Sequence, residues 1–278
     1  MHQETEITVS NLDHLGLIAG LVDEIGIVQK INELVGSQPG EIVSPGLAVK
    51  AMIINGLGLV SAPLYLFSKF FEGKAIEHLI GEGIQASHLN DYRLGRVLDK
   101  LYLVGSSQIF TTIALAAAQK FEIDTETSHL DSSSFHLHGK YESQLPSISV
   151  TEGEIDGDHS DSSPTNPISS TVPIKITYGY SRDHRPDLKQ FILDLICSSD
   201  GDVPLFLRVG SGNESDCAIF ASICREFKQQ LNFDSLMVAS GALYPTFRTL
   251  NCHTTNFRSL AKLNWRSQVQ FPPCVYKK

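Results

Sequence analysis

The chain has 278 residues, of which 42% are hydrophobic, 19% charged and 8% aromatic, enough apolar material for one or two packed domains and too much for a wholly disordered chain. Lys and Arg number 22 against 31 Asp and Glu, a formal net charge of -9, which excludes a protein that is basic throughout and leaves nucleic-acid contact to a local basic surface. The charge is uneven: residues 1–120 carry a net -4, residues 121–174 a net -9 and residues 175–278 a net +4, so phosphate contact belongs in the last third.

From Leu12 to about Gln119 the apolar spacing is helical. Leu15, Ile18, Val22 and Ile25 form one face, Val28, Ile31 and Val35 the next, and Leu94, Val97, Leu98 and Leu101 another. Ser44 followed by Pro45 has the form of an N-cap with proline in the first turn. An all-α domain of several short helices over residues 1–120 is expected. Two uncharged stretches, Ala51 to Ser68 and Leu101 to Gln119, are short and polar for a bilayer, which asks for ~20 predominantly apolar residues. They read as buried helices, and no membrane partner is expected.

After Phe121 the period becomes two. Strands are expected at Ser128–Phe135, Val172–Tyr180, Leu188–Cys197 and Val203–Val209, the last two joined across Ser199-Asp200-Gly201-Asp202, where Asp-Gly is a hairpin signal. A helix over Ser215–Gln230 and a short strand over Ser235–Ala239 follow. The fold class is therefore α+β, with an α/β mixed sheet of nuclease-like order in residues 121–278. Between Glu142 and Pro173 lie eight serines, six acids and no Lys or Arg, a composition expected to form a disordered insertion.

The five cysteines, Cys197, Cys217, Cys224, Cys252 and Cys274, include no Cys-x-x-Cys pair and signal neither a disulfide framework nor structural zinc. The start, Met1-His2-Gln3-Glu4-Thr5-Glu6, lacks the basic-then-apolar profile of a secretory signal. A reducing, cytoplasmic compartment is expected.

In His129-Leu130-Asp131-Ser132-Ser133-Ser134-Phe135-His136-Leu137-His138 an Asp interrupts an apolar strand. A buried carboxylate needs hydrogen bonds or a cation, so Asp131 is either a metal ligand or an acid satisfied by serine hydroxyls and backbone amides. His136 and His138 share a strand face and read as surface histidines, because zinc requires three or four converging ligands. Gly210-Ser211-Gly212-Asn213 lacks the rest of a phosphate-loop signature and reads as a turn. Arg182, His184, Arg185, Lys189 and Arg208 gather near strand ends; they are either a phosphate-positioning patch or a solvated face balanced by Asp183 and Asp187.

Leu12-Asp13-His14-Leu15-Gly16-Leu17, Ser44-Pro45-Gly46 through Asn55-Gly56-Leu57-Gly58, and Asn90-Asp91-Tyr92-Arg93-Leu94-Gly95-Arg96-Val97-Leu98-Asp99 resemble the N-terminal domain of bacterial insertion-sequence transposases. His129 to Phe135 resembles their first catalytic strand, and the run Gly179-Tyr180-Ser181-Arg182-Asp183-His184-Arg185-Pro186-Asp187-Leu188-Lys189-Gln190 resembles the segment after it. The resemblance is to a DDE transposase of the insertion-sequence-four superfamily, with a ribonuclease-H-like catalytic domain, and covers nearly the whole chain.

That resemblance implies an Asp, Asp, Glu set holding two Mg²⁺ or Mn²⁺ ions for DNA cleavage and strand transfer. It makes Asp131 the first ligand. The second belongs in a run usually written Val-Ala-Asp-Ser-Ala-Leu-Tyr, which here reads Val238-Ala239-Ser240-Gly241-Ala242-Leu243-Tyr244. Ser240 stands where the aspartate belongs, and the helix carrying the glutamate would follow Lys278. The resemblance thus implies a truncated, degenerate copy, catalytically defective, with DNA (the transposon ends) as partner through Arg182, His184, Arg185 and Lys189. Two alternatives are a DNA-binding or oligomerising remnant that modulates a full-length transposase, and a metal-dependent nuclease pairing Asp131 with Asp187 or Glu214.

Overall fold

The computed structural model describes residues 9–141, 173–180, 184–231, 236–239 and 257–260. Most of the expected insertion, together with Arg182, Asp183 and Ser240, lies outside them. The described chain runs through helices and then through a sheet, α+β in class.

The helices are α1 (Leu15–Ile25), α2 (Ile27–Val35), α3 (Pro45–Gly56), α4 (Phe67–Phe70), α5 (Ile76–Leu79), α6 (Asp91–Val104) and α7 (Ser106–Lys120), with single 3-10 turns at Leu64–Leu66 and Ala86–His88. Local chemistry sets their ends. Ser44 Oγ accepts from Leu47 N with Pro45 at the first helical position, and Asn90 Oδ1 accepts from Arg93 N, so each satisfies an amide left open at a helix start. Gly26 separates α1 from α2 at φ 78°, a left-handed turn that glycine adopts without steric penalty.

The apolar faces meet as the spacing requires. Leu15, Ala19, Ala48, Ala51, Ile54, Phe71, Leu79, Leu89, Leu94 and Val97 share one core, while Val22, Ile27, Ile31 and Ile109 form a second beside it. Leu98, expected on the inner face of α6, is exposed. Two polar fixtures lock the packing. Lys50 of α3 is buried and donates to both carboxylate oxygens of Asp23 in α1 at 2.7 Å. Asn55 forms a two-way pair with the backbone of Ala62, its Nδ2 donating at 2.9 Å and its Oδ1 accepting at 2.8 Å.

Neither uncharged stretch is one continuous helix. The first leaves helical geometry after Gly56, and the second breaks at Gly105. Among the described residues no single helix is long and apolar enough to cross a membrane; α6 and α7 reach the necessary length only together, bent by 88°.

The strands are β1 (Thr127–Leu137), β2 (Lys189–Ser198), β3 (Pro204–Ser211), β4 (Leu236–Ala239) and β5 (Phe257–Leu260), with α8 (Asp216–Leu231) between β3 and β4. They form one sheet in the order β3-β2-β1-β4-β5. β1–β2 and β2–β3 are antiparallel, whereas β4 lies parallel to β1 and β5 parallel to β4. The β2–β3 turn closes with Gly201 and Asp202 at positive φ, as the Asp-Gly signal anticipates.

Among the described residues one expected strand does not form. Of Val172–Tyr180, the described part makes a single bridge, Thr177 to Gln190, instead of a ladder. Pro173 supplies no amide hydrogen, and Gly179 sits so close to Gly212 that a Cβ there would fall 1.8 Å from its carbonyl oxygen.

Helix α8 covers one sheet face with Phe220, Ile223, Cys224 and Phe227, spaced for one helical side, over Leu130, Ile196, Leu205 and Phe206. Ala118 at the end of α7 joins this core.

Gly46 is buried where α3 crosses α2, and a Cβ there would lie 2.2 Å from the Val28 carbonyl oxygen. Gly46→Ala forces these helices apart and is expected to lower stability by about 1–3 kcal/mol, the usual cost of overpacking; chemical denaturation followed by circular dichroism measures it.

Candidate functional site

β1 is the central strand, flanked by β2 and β4. Alternation sends Leu130 and Ser132 to the face under α8 and Asp131 to the other, where it is exposed. Asp131 is therefore no buried carboxylate. It lies opposite Leu195, in a row that ends at Leu207 on β3.

The buried carboxylate is Asp194. It is fully inaccessible to solvent and sits in the next row on the covered face, where Ser132 pairs with Asp194 and Asp194 with Arg208. Ser132 Oγ donates to Asp194 Oδ1, and Arg208 donates to Asp194 Oδ2 at 2.8 Å and to Glu214 Oε2 at 2.7 Å. Glu214 Oε1 accepts from Ser211 N at 2.7 Å. This ladder crosses three strands and ties down the turn into α8. Burial is the largest single influence on Arg208 and lowers its pKa, but the hydrogen bonds and charges of Glu214 and Asp194 together outweigh it and leave the pKa raised. Sequence reasoning missed the ladder, although Asp194 shares the parity of the inward-facing Ile192 and Ile196, and that parity is the signal that could have found it.

The basic cluster divides. Arg208 belongs to the ladder, and Arg182 lies outside the described residues. Arg185 holds Asp187 in a two-point pair at 2.9 and 2.8 Å. Lys189 Nζ donates to the carbonyls of Lys140 and Tyr141, and His184 occupies a positive-φ turn at 56°. His138 is exposed and His136 half-buried, while His129 Nε2 lies 3.5 Å from Asp202 Oδ1. Gly212 and Asn213 form the expected turn.

The carboxylates of the nuclease alternative do not gather. Glu214 is committed to Arg208 and the Ser211 amide, Asp187 to Arg185, and Asp131 faces away from the ladder. Among the described residues no group of three or more His, Cys, Asp and Glu side chains could hold a metal ion. A two-ion centre needs several carboxylates around Asp131, and the described donor set does not fit one. The second position, Ser240, lies outside the described residues; its predecessor Ala239 is in register with His129, two residues before Asp131.

Residues 7–115 match a family model described as a domain of unknown function, DUF4277. No curated protein matches. A solved structure of the Mos1 transposase, a paired-end complex with the left transposon end, aligns at 10% identity over 77% of this chain with a TM-score of 0.24, and this chain covers 58% of that one.

Arg208→Met leaves Asp194 buried without its cation, so stability should fall by about 3–5 kcal/mol, read as a lower urea midpoint at unchanged slope. The Arg185 pair lowers the Asp187 pKa to about 2, whereas an unpaired Asp titrates near ~3.9. Since the folded value is the depressed one, this pair's contribution to stability is present above the ordinary carboxylate range and lost as pH falls through about 2. Carbon-detected NMR titration should find the Asp187 midpoint low in the native chain and back in the ordinary range in Arg185→Met.

Proposed function

We propose that this chain is a transposase-related protein of DNA transposition, with residues 1–120 as a helical domain and 121–278 as a ribonuclease-H-like domain, and that it is catalytically defective. The observation that carries the reading is the placement of Asp131. It stands on the outward face of the central strand of a β3-β2-β1-β4-β5 sheet, with β4 running parallel alongside and ending at Ala239, one residue before Ser240. Three antiparallel strands, a helix and then strands parallel to the first is the order a ribonuclease-H-like domain requires. It supports taking Asp131 as the first acidic position and Ser240 as the second.

A neutral hydroxyl at the second position supplies neither the charge nor the bridging oxygens that hold two cations at a phosphodiester. Asp131 alone can attract a divalent ion but cannot position a pair. In this reading Arg182, His184, Arg185 and Lys189 make sequence-independent phosphate contacts.

The purified chain is expected to leave supercoiled plasmid and end-labelled duplexes uncut, and to join no strands, with Mg²⁺ or Mn²⁺. It should retain DNA at low salt, less as salt rises, because phosphate contacts release counterions. Metal-dependent nicking that disappears in Asp131→Ala would overturn the defective reading, and no DNA retention at low salt would overturn DNA as partner.

A further inference from the structure

At the end of the sheet where β1 finishes and β2 begins, three stretches of chain converge: residues 134–141, 173–180 and 184–191. The β1–β2 ladder brings Leu137 to Lys189 and Phe135 to Phe191, the Thr177–Gln190 bridge adds the third stretch, and Lys189 ties in Lys140 and Tyr141 through their carbonyls. In a chain of net charge -9 these stretches hold Lys140, Lys175, Arg185 and Lys189 against Asp187 alone, with His136, His138 and His184 among them.

The same end exposes aromatic rings. Tyr180 is 87% exposed, Tyr178 57%, Phe135 45% and Tyr141 41%. Phe135 lies flat on Phe191, centroids 5.2 Å apart and planes 8° from parallel, a fixed platform on the face that also bears Asp131. The backbone that carries the tyrosines is anchored. Gly179 between them is pressed on the Gly212 carbonyl, and Gln190, buried, donates to the carbonyls of Tyr180 and Gly212 at 3.2 and 2.7 Å. A ring already ordered, as Phe135 is, loses little freedom when a ligand stacks on it, and an anchored backbone limits where the tyrosines can reach.

We infer that this sheet end is a binding surface for unpaired nucleotides of a DNA strand, its bases stacking on Phe135, Tyr178 and Tyr180 while Lys140, Lys175 and Lys189 face the phosphates. Duplex DNA hides its base faces, so a purely phosphate-binding surface has no use for exposed rings; a single strand offers both rings and charge. The inference rests on DNA as the partner and adds which form of DNA is preferred.

The test uses the full chain and a fluorescein-labelled oligo-dT of about 12 nucleotides, within the site sizes such surfaces cover, beside its duplex with oligo-dA. The single strand should bind more tightly. The double variant Tyr178→Leu/Tyr180→Leu, which keeps apolar bulk but removes the rings, should weaken single-strand binding about tenfold or more and leave duplex binding and the unfolding midpoint unchanged. Duplex binding equal to or above single-strand binding, or an unaltered affinity in the double variant, overturns the inference while DNA remains the partner. Preference for oligo-rU over oligo-dT overturns the choice of DNA here. Binding of neither DNA probe at low salt overturns both this inference and the proposed partner.

Discussion

The buried Asp194 carboxylate fixes the register of β1, β2 and β3. A carboxylate removed from water is tolerable only where its oxygens are met by donors, here the Ser132 hydroxyl and the Arg208 guanidinium on the two neighbouring strands. A slip of one residue between β1 and β2 would strand that charge among Ile192, Ile196 and Phe206 or turn those apolar groups outward, since successive strand residues face opposite sides. Because Ser132 points inward, Asp131 points outward. The direction of the candidate acidic residue thus follows from a neighbour that takes no part in chemistry.

From this constraint the rest of the sheet acquires its two characters. Under α8 it is a packed interior of Phe206, Phe220, Ile223 and Phe227, where burial lifts the Cys224 pKa to about 12 and keeps the thiol protonated and unreactive at neutral pH. The opposite face carries Asp131 along β1, half-buried leucines on β2, and Phe135, Phe191 and Lys189 at one end. The acidic residue, one aromatic stack and one lysine thus share the face that no helix core covers.

Much of this could be read from residues alone. Ser44-Pro45 announced the start of α3, and the period-two run around Asp131 announced β1. Asp200-Gly201 announced the β2–β3 turn. What escaped the sequence depends on pairing across strands or on the close approach of distant backbone. Arg208 looked like a surface cation because its partners, Asp194 and Glu214, are 14 and 6 residues away and become neighbours only through the hairpin and the following turn. The stretch ending at Tyr180 has strand-like composition, yet contact between Gly179 and Gly212 replaces a ladder with one bridge. Asp131, between Leu130 and Ser132, is exposed, whereas Asp194, one strand over and flanked by Leu193 and Leu195, is the acid that is buried.

Helix α7 belongs to two interiors. Ile109 near its start packs with Val22, Ile27 and Ile31, and Ala118 near its end packs with Leu130 and Phe220; nine residues of helix separate them by about 14 Å. A continuous helix between the two cores keeps that spacing, because a sharp kink would disrupt its i to i-4 hydrogen bonds. The N-terminal core is therefore joined to the sheet by packing at both ends of one helix, as by a ruler, and not by a slack linker.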